Sequence, residues 1–468
     1  MADFVLYEVL QSFSKPDLRR FGKFVRSPFF THRSEMERMY AFLAHCRYRE
    51  KPLPDKERLF LKSFPDRQYD DLLLRATMSD LCELMEEYLI WQHLRADEVS
   101  AKLALAAAFR ERNLSKQFLQ TTRKLSQDLE TDKIRNADFH RQVLDYQVEM
   151  AKFQTRTVRT GELPLQDIAD SLDVLYLAEK LRHSCTQISH QAVFKTKYAY
   201  GLLPHVLSQV EEGEFLKVPA IALYYYCYRF LTEQYSLDYF QKFRLELQQN
   251  GHFFPDTELK ELYLLAINYC IRKINEGADP FVREGWELYR EGLEKGLLLE
   301  NRRLSPFTFN NMAAFGIKLG IYAEVEKFIE EYHSFLEPAL QESLLSFNMA
   351  RLEYKRGRHS AALRLLQTAD FKDLVNNLIS KTLMLKIYYE LEEFDLLESH
   401  LDTFRQFIRR RELSDYHRRN YMNIIAFVKK IMTLMPGDRQ GKNAMRTEIE
   451  QAEVLTEREW LLEQLDKR

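Results

Sequence analysis

The chain has 468 residues, with 68 Lys and Arg against 70 Asp and Glu, so its formal net charge is −2 at pH 7. This balance excludes an overall field that would attract nucleic acid or a membrane surface. Only 14 Gly and 13 Pro are present, below the usual shares of about 7% and 5%. So few turn formers predict long helices with short connections, and favour one elongated solenoid over two or three globular domains.

The N-terminal segment, the apolar runs and the cysteines predict a cytoplasmic protein. The first residues reach Glu8 without a basic region or a long apolar core, so no secretory signal is expected. The longest charge-free stretch, Leu304 to Ile317, has fourteen residues, whereas a membrane span needs about 20 apolar ones. The five cysteines form no CxxC pair, which fits buried thiols in a reducing compartment.

Helix-start signals recur along the chain. Ser14-Lys15-Pro16-Asp17 combines a capping serine, a first-turn proline and an acid three residues on. Ser34-Glu35-Met36-Glu37 predicts a capping box, in which serine and glutamate bond each other's backbone. Asp279-Pro280 and Ser305-Pro306 each place a capping residue before a first-turn proline. These signals predict helix starts at all four places.

Apolar spacing predicts helices throughout, with no run of strict alternation between hairpin turns. An apolar stripe after Asp70 has spacings of four, three, four and three, as on one side of a helix. Its members are Leu74, Met78, Leu81, Met85 and Tyr88. The sequence therefore predicts an all-α fold. Further helix pairs are expected at 98–112 with 115–131, at 166–196 with 204–211, and at 218–233 with 236–249.

One helix pair that begins near Ser343 resembles the tetratricopeptide repeat. The family's small residues and its turn glycine fall on Ala350, Gly357, Ala362 and Ala369. His359 follows the turn where the family prefers tyrosine, and Ser346 stands where it often has tryptophan. Weaker copies have their turns at Gly320 and Glu392. The turn positions lie 37 and 35 residues apart, close to the family's period of about 34.

The resemblance is specific over about 306–405 and generic before about 257. It implies a right-handed superhelix (an α-solenoid) of antiparallel helix pairs. The expected organisation is an N-terminal helical cap (1–95), divergent helix pairs (96–256), tetratricopeptide-like repeats (257–434), and a linker with a C-terminal capping helix (435–468). In the cap, Phe21, Phe24, Phe29 and Phe30 are expected to seal the first pair. Met435-Pro436-Gly437-Asp438 should end the last repeat helix, before a helix with Leu455, Trp460, Leu461 and Leu465.

The sequence contains none of the common catalytic or cofactor motifs, such as a P-loop, GxGxxG, HExxH or GxSxG. Among His183, Cys185 and His190, the two histidines are seven residues apart, whereas zinc ligands usually lie three or four apart. We therefore expect no enzyme, no cofactor and no bound metal. An active site built from dispersed residues remains an alternative.

The repeat resemblance implies a partner-binding groove. In this family the first helix of each pair lines the inner face through its second, fifth, ninth and twelfth positions. Here these positions are Phe307, Asn310, Ala314 and Ile317, then Leu344, Phe347, Arg351 and Tyr354, then Ile379, Thr382, Lys386 and Tyr389. We expect Asn310, Phe347, Arg351, Tyr354, Lys386 and Tyr389 to hold a peptide or protein partner, with the two cations pairing with its acids. The alternative is that these residues pack against the next helix or extend into solvent.

A second candidate surface is basic. Residues 405–446 carry eleven basic and three acidic side chains. Five arginines, which we call the basic corner, surround one predicted turn: Arg409, Arg410, Arg411, Arg418 and Arg419. With Tyr416 and Tyr421 interleaved, this corner suits RNA or a ribosome. Alternatively, it pairs with the acidic tail 447–468, which has seven acids against three bases.

The favoured interpretation is a cytoplasmic, non-enzymatic interaction scaffold, and the alternative is an RNA-associated helical protein. Neither the oligomeric state nor the partner follows from the sequence. The basic helix that ends in Ser27-Pro28-Phe29-Phe30 resembles segments of uncharacterised bacterial helical proteins, and this resemblance implies no function.

Overall fold

The computed structural model describes residues 2–157, 163–194, 196–233, 237–368, 374–435 and 437–467. Within these ranges the protein is all-α, with 23 α-helices and one short antiparallel hairpin, β1 (Leu299–Glu300) and β2 (Arg303–Leu304). The predicted all-α class is confirmed. Ala369, Pro436 and the predicted helix residues 195 and 236 lie outside the described ranges.

The helices follow one another with short connections. The first eleven are α1 (Ala2–Ser12), α2 (Lys15–Val25), α3 (Ser34–Tyr48), α4 (Lys56–Ser63), α5 (Asp71–Ala96), α6 (Glu98–Glu111), α7 (Ser115–Thr131), α8 (Ala137–Thr157), α9 (Leu165–Phe194), α10 (Leu203–Glu212) and α11 (Pro219–Thr232). The other twelve are α12 (Leu237–Asn250), α13 (Asp256–Asn275), α14 (Pro280–Glu294), α15 (Pro306–Leu319), α16 (Tyr322–Tyr332), α17 (Gln341–Lys355), α18 (His359–Thr368), α19 (Leu374–Glu390), α20 (Phe394–Arg410), α21 (Asp415–Thr433), α22 (Arg439–Gln451) and α23 (Arg458–Lys467).

The chain divides into two compact units. The N-terminal unit comprises Met1–Thr186 and Ala199–Tyr225, and the C-terminal unit comprises Gln187–Tyr198 and Tyr226–Arg468. In the N-terminal unit, α1 to α5 enclose one apolar core that includes the whole predicted stripe of α5. Phe21 and Phe24 belong to this core. Phe30 stacks on Phe24 with ring centroids 3.7 Å apart, whereas Phe29 is 87% exposed, so the prediction that all four phenylalanines seal the cap is wrong for Phe29.

Consecutive helices pack in pairs in the C-terminal unit: α13 with α14, α15 with α16, α17 with α18, and α19 with α20. The predicted turns at Gly320, Gly357 and Glu392 have left-handed backbones, with φ of 75°, 75° and 59°. At each turn the left-handed residue and the next one donate backbone hydrogen bonds to carbonyls of the preceding helix, as in a Schellman motif. Asn113 ends α6 in the same way, although the sequence resemblance did not extend that far.

The helix starts follow the predicted caps in two of four cases. Ser14 forms a full capping box with Asp17, and the Ser305 hydroxyl accepts from the Phe307 amide. The predicted capping box at Ser34 is wrong, because Ser34 is already the first residue of α3 and no side chain caps that helix. Asp279 precedes α14 but does not cap it.

None of the described helices is both long enough and apolar enough to span a bilayer.

Candidate functional site

Three first helices of consecutive pairs, α15, α17 and α19, border one cavity of about 490 Å³ in the C-terminal unit. Seven of the twelve positions that the repeat resemblance placed on the inner face line this cavity. They are Phe307, Asn310, Ala314, Leu344, Phe347, Arg351 and Ile379. We call this space the arginine cavity, after its one charged lining residue, Arg351. Positions a full repeat apart in sequence thus share one concave space.

An asparagine relay crosses the arginine cavity from helix to helix. The Asn348 amide on α17 donates to Oδ1 of Asn310 on α15 at 2.7 Å. The Asn310 amide donates in turn to Oδ1 of Asn376 on α19 at 3.4 Å. Sequence reasoning selected Asn310 but missed the other two. The relay ties the three helices together at the site, because buried amides need partners.

Arg351 is a partly buried cation in this cavity. Its guanidinium donates to Oδ1 of Asn348 at 3.3 Å and to the Asn310 carbonyl at 3.5 Å. It also lies 5.5 Å from the centre of the Phe347 ring. Across the described residues, it forms no ion pair with a carboxylate. Burial lowers the pKa of Arg351 to about 10, although the charge of Glu457 acts in the opposite direction.

Lys386, one repeat further on, has a different environment. Its ammonium lies 2.6 Å from a carboxylate oxygen of Glu457, and only 8% of the side chain is exposed. The same nitrogen lies 5.1 Å from the centre of the Tyr354 ring and 5.6 Å from that of Trp460. The C-terminal segment therefore supplies both an anion and an aromatic ring to Lys386.

Tyr389 packs against Trp460 of the C-terminal segment, and Tyr354 shares a hydrogen-bond acceptor with Trp460. The Trp460 ring packs edge-on against Tyr389, with centroids 5.5 Å apart. The Trp460 indole and the Tyr354 hydroxyl both donate to Oε1 of Glu390, at 2.5 and 2.7 Å. Burial, followed by the bond to Glu390, raises the pKa of Tyr354 far above its usual value. The structure thus places Asn310, Phe347 and Arg351 at the arginine cavity, and the other three predicted groove residues around Glu457 and Trp460.

A larger cavity of about 870 Å³ adjoins the arginine cavity and was not predicted. It lies between α13, the β-hairpin and α15, and it shares Pro306, Phe307 and Asn311 with the arginine cavity. Phe307 is 80% exposed. On the polar side, the Asn311 amide donates to the Tyr289 hydroxyl at 3.2 Å. The two cavities make the candidate site longer than the predicted groove, with a phenylalanine between them.

The basic corner connects the end of α20 to the start of α21. Arg418 donates to the carbonyls of Ile408 and Arg411, both at 3.3 Å, and so caps the C-terminus of α20. Arg409, Arg410 and Arg419 are exposed, and within the described residues none of them forms an ion pair.

Only one of the two tyrosines predicted at the basic corner can stack on a ligand. Tyr416 is 57% exposed, whereas Tyr421 is 7% exposed and lies near Phe404 in the core. The expectation that both are available is therefore wrong for Tyr421, because it lies on the buried side of α21.

The acidic tail pairs with cations outside the corner. Glu448 binds Lys430 at 2.5 Å, and Asp466 binds Arg446. Glu457 binds Lys386, as described above. In the ion pairs that the structure describes, the tail leaves the corner arginines without acidic partners.

The residues weighed as metal ligands have other contacts. His183 lies 3.4 Å from Glu179, and the buried Cys185 thiol lies 3.4 Å from the Tyr224 carbonyl. His190 bonds the Tyr198 hydroxyl at 2.9 Å. Over the part of the chain that the structure describes, no group of three or more His, Cys, Asp or Glu side chains is arranged to hold a metal ion.

Comparison with known protein families, with curated proteins and with solved structures gave no match to this chain. Its function therefore has to follow from the chemistry of its own surfaces.

Proposed function

We propose that the protein is a non-enzymatic interaction scaffold that binds a peptide segment of a partner protein in the arginine cavity. The observation that supports this most directly is Arg351, a partly buried guanidinium with no carboxylate partner in the described structure. Such a cation is unfavourable unless an anion compensates it. An aspartate or glutamate of the partner would supply that anion, through the charge-assisted bonds that guanidinium groups make best.

The remaining lining suits a peptide. Phe307 and Ile379, which are 80% and 37% exposed, offer apolar surface for side chains of the partner. Asn310 and Asn376 carry amides, which both donate and accept and therefore match the peptide main chain. A volume of about 490 Å³ lies within the range of about 300–1,000 Å³ typical of ligand pockets. The adjoining cavity would hold a further part of the same segment.

The proposed architecture is a tetratricopeptide-like right-handed superhelix located in the cytoplasm. Its support is the recurrence of left-handed turns at Gly320, Gly357 and Glu392, 37 and 35 residues apart. The five cysteines are free and buried, which suits a reducing compartment.

A display experiment tests the proposed function. Peptides are selected from a random-sequence display library on the wild-type chain, and their affinities are then measured against Arg351→Gln. We expect enrichment of acidic residues and a loss of roughly ten- to a hundredfold in affinity, the range for a hydrogen bond to a charged group. Lys355→Gln is the matched control, because Lys355 is an exposed cation on the same helix. Selected peptides that bind Arg351→Gln as tightly as wild type would refute the proposal.

A second candidate function is RNA binding at the basic corner. The specific observation is that Arg409, Arg410 and Arg419 are exposed and without ion pairs in the described structure, beside the exposed Tyr416. Guanidinium groups bind phosphates, and an exposed tyrosine can stack on a base.

A salt titration with a single-stranded uridine oligonucleotide tests this alternative. For wild type, the logarithm of the affinity should fall linearly with the logarithm of the salt concentration. A triple variant combines Arg409→Glu, Arg410→Glu and Arg419→Glu. Its loss of three phosphate contacts should reduce the magnitude of that slope by roughly 2. Arg418 is left unchanged, because it caps α20. An unchanged slope would rule out the corner as the RNA site.

A further inference from the structure

The C-terminal segment 453–460 lies against inner-face residues of the proposed groove. The Glu457 carboxylate pairs with Lys386 of α19 at 2.6 Å, and the Trp460 ring packs on Tyr389 of the same helix. The Trp460 indole donates to Glu390 at the end of α19. The positions that the repeat resemblance reserves for a partner are therefore occupied by the chain itself.

In these contacts, the N-terminal end of α23 lies against the inner-face residues of α19. Glu457 immediately precedes α23, and Trp460 lies in its first turn. The backbone of Glu457 has φ of 55°, a left-handed conformation that residues other than glycine adopt at a cost. Residues 452–457 are not helical. The Glu457 carboxylate and the Trp460 indole thus fix this irregular segment beside α19, together with the Asn423 amide, which donates to the Val454 carbonyl at 2.8 Å.

The occupied end and the open end of the groove are electrostatically connected. Arg351 and Lys386 are equivalent inner-face positions of neighbouring helices, and the charge of Glu457 acts on both. A partner carboxylate that reaches Lys386 therefore competes with Glu457 for that cation. Trp460, 5% exposed, belongs with Leu461 and Leu465 to one apolar core. Release of the segment therefore requires Trp460 to leave that core while the two leucines hold the rest of α23 in place.

We propose that residues 453–460 are an internal ligand of the groove, and that the partner presents the same chemistry: an acidic residue at a helix start, followed three residues later by an aromatic one. This inference rests on the proposed function. While the internal ligand is bound, only the fraction of molecules with a free groove can bind the partner's helix start, so the apparent affinity is reduced by that fraction. Weakening the internal contacts should therefore tighten binding of a ligand supplied from outside.

The probe is a fluorescein-labelled synthetic peptide with the sequence of residues 452–467, and its binding to the full chain is followed by fluorescence anisotropy. Glu457→Gln with Trp460→Ala should bind the probe at least about tenfold more tightly than wild type, because more molecules have a free groove. Glu459→Gln, an exposed acid of α23, should leave probe binding unchanged. Addition of Lys386→Ala to the double variant should abolish the gain.

Equal binding by wild type and the double variant, or no binding by either, would overturn the inference. If the double variant loses its helical circular dichroism, a chain cut at a protease site inserted within 452–456 replaces it. The labelled peptide should exchange into the cut chain, and failure to exchange would also overturn the inference. Display-selected peptides that need Arg351 yet bind wild type and the double variant equally would refute the internal ligand while leaving the proposed function intact.

Discussion

Replacing Arg351 by methionine should stabilise the C-terminal unit while it removes partner binding. The guanidinium has only two long hydrogen bonds, at 3.3 and 3.5 Å. The fall of the Arg351 pKa from 12.5 to about 10 corresponds to roughly 3 kcal/mol of destabilisation of the charged form by folding. The substitution also removes the two hydrogen bonds, which lowers the stability of the folded state by about 1–2 kcal/mol and offsets part of this gain. The expected net gain in the free energy of unfolding is therefore roughly 1–2 kcal/mol, with methionine filling the space beside Phe347.

The pH dependence of this gain follows from the direction of the shift. The folded-state pKa of Arg351 lies below its unfolded value, so the unfolded chain holds more protons above about pH 10. The destabilising contribution of Arg351 is complete below that pH and decreases as the pH rises through it. The difference between Arg351→Met and wild type should therefore shrink in alkaline solution.

Urea denaturation of wild type and Arg351→Met at about pH 7.5 and pH 10.5 measures both effects. Lys355→Met on the exposed side of α17 is the control for a general effect of methionine, and it should change stability by less than about 0.5 kcal/mol. A lower unfolding free energy for Arg351→Met than for wild type at the lower pH would refute the reasoning. So would a difference that does not change with pH.

Two further predictions concern the packing and turns of the helix pairs. Gly316→Ala should lower the unfolding free energy by about 1–3 kcal/mol in denaturation experiments, because the new methyl carbon would lie 2.3 Å from Cγ2 of Val325. Gly357→Ala should destabilise by roughly 1 kcal/mol, whereas Glu392→Gly should be neutral or stabilising, because both turns are left-handed. Equal effects of these two turn substitutions on the melting temperature would contradict the turn assignment.

Local sequence signals were sufficient for most of the helix organisation. Glycine at 320 and 357 indicates a left-handed turn directly, because no Cβ atom opposes that conformation. The capping box at Ser14 is likewise a property of adjacent residues. Glu392 was found only through the spacing of its neighbours. The predicted helix pair 98–112 with 115–131 places a turn at Asn113, but its left-handed backbone was not predicted, although asparagine tolerates that region better than most residues.

The candidate site was only partly predictable, because its distinctive contacts join distant parts of the chain. The inner-face positions followed from the resemblance to the tetratricopeptide repeat, and seven of the twelve line the arginine cavity. Lys386 and Glu457 are 71 residues apart in the sequence, so no local sequence pattern predicts that they pair. The same holds for the bond between Trp460 and Glu390. Periodicity shows which residues share a face of a helix, but tertiary packing decides which of those faces the chain covers itself.

Arg351 and Lys386 show how this difference leads to function. They stand at equivalent positions of α17 and α19, so the resemblance to the repeat family does not distinguish them. Lys386 has an internal carboxylate, and Arg351 has none among the described residues. Departures from local physical rules in folded proteins concentrate where function compensates for them. Because the chain supplies a carboxylate to Lys386 and none of its described carboxylates pairs with Arg351, we propose Arg351 as the residue that binds another molecule's acid.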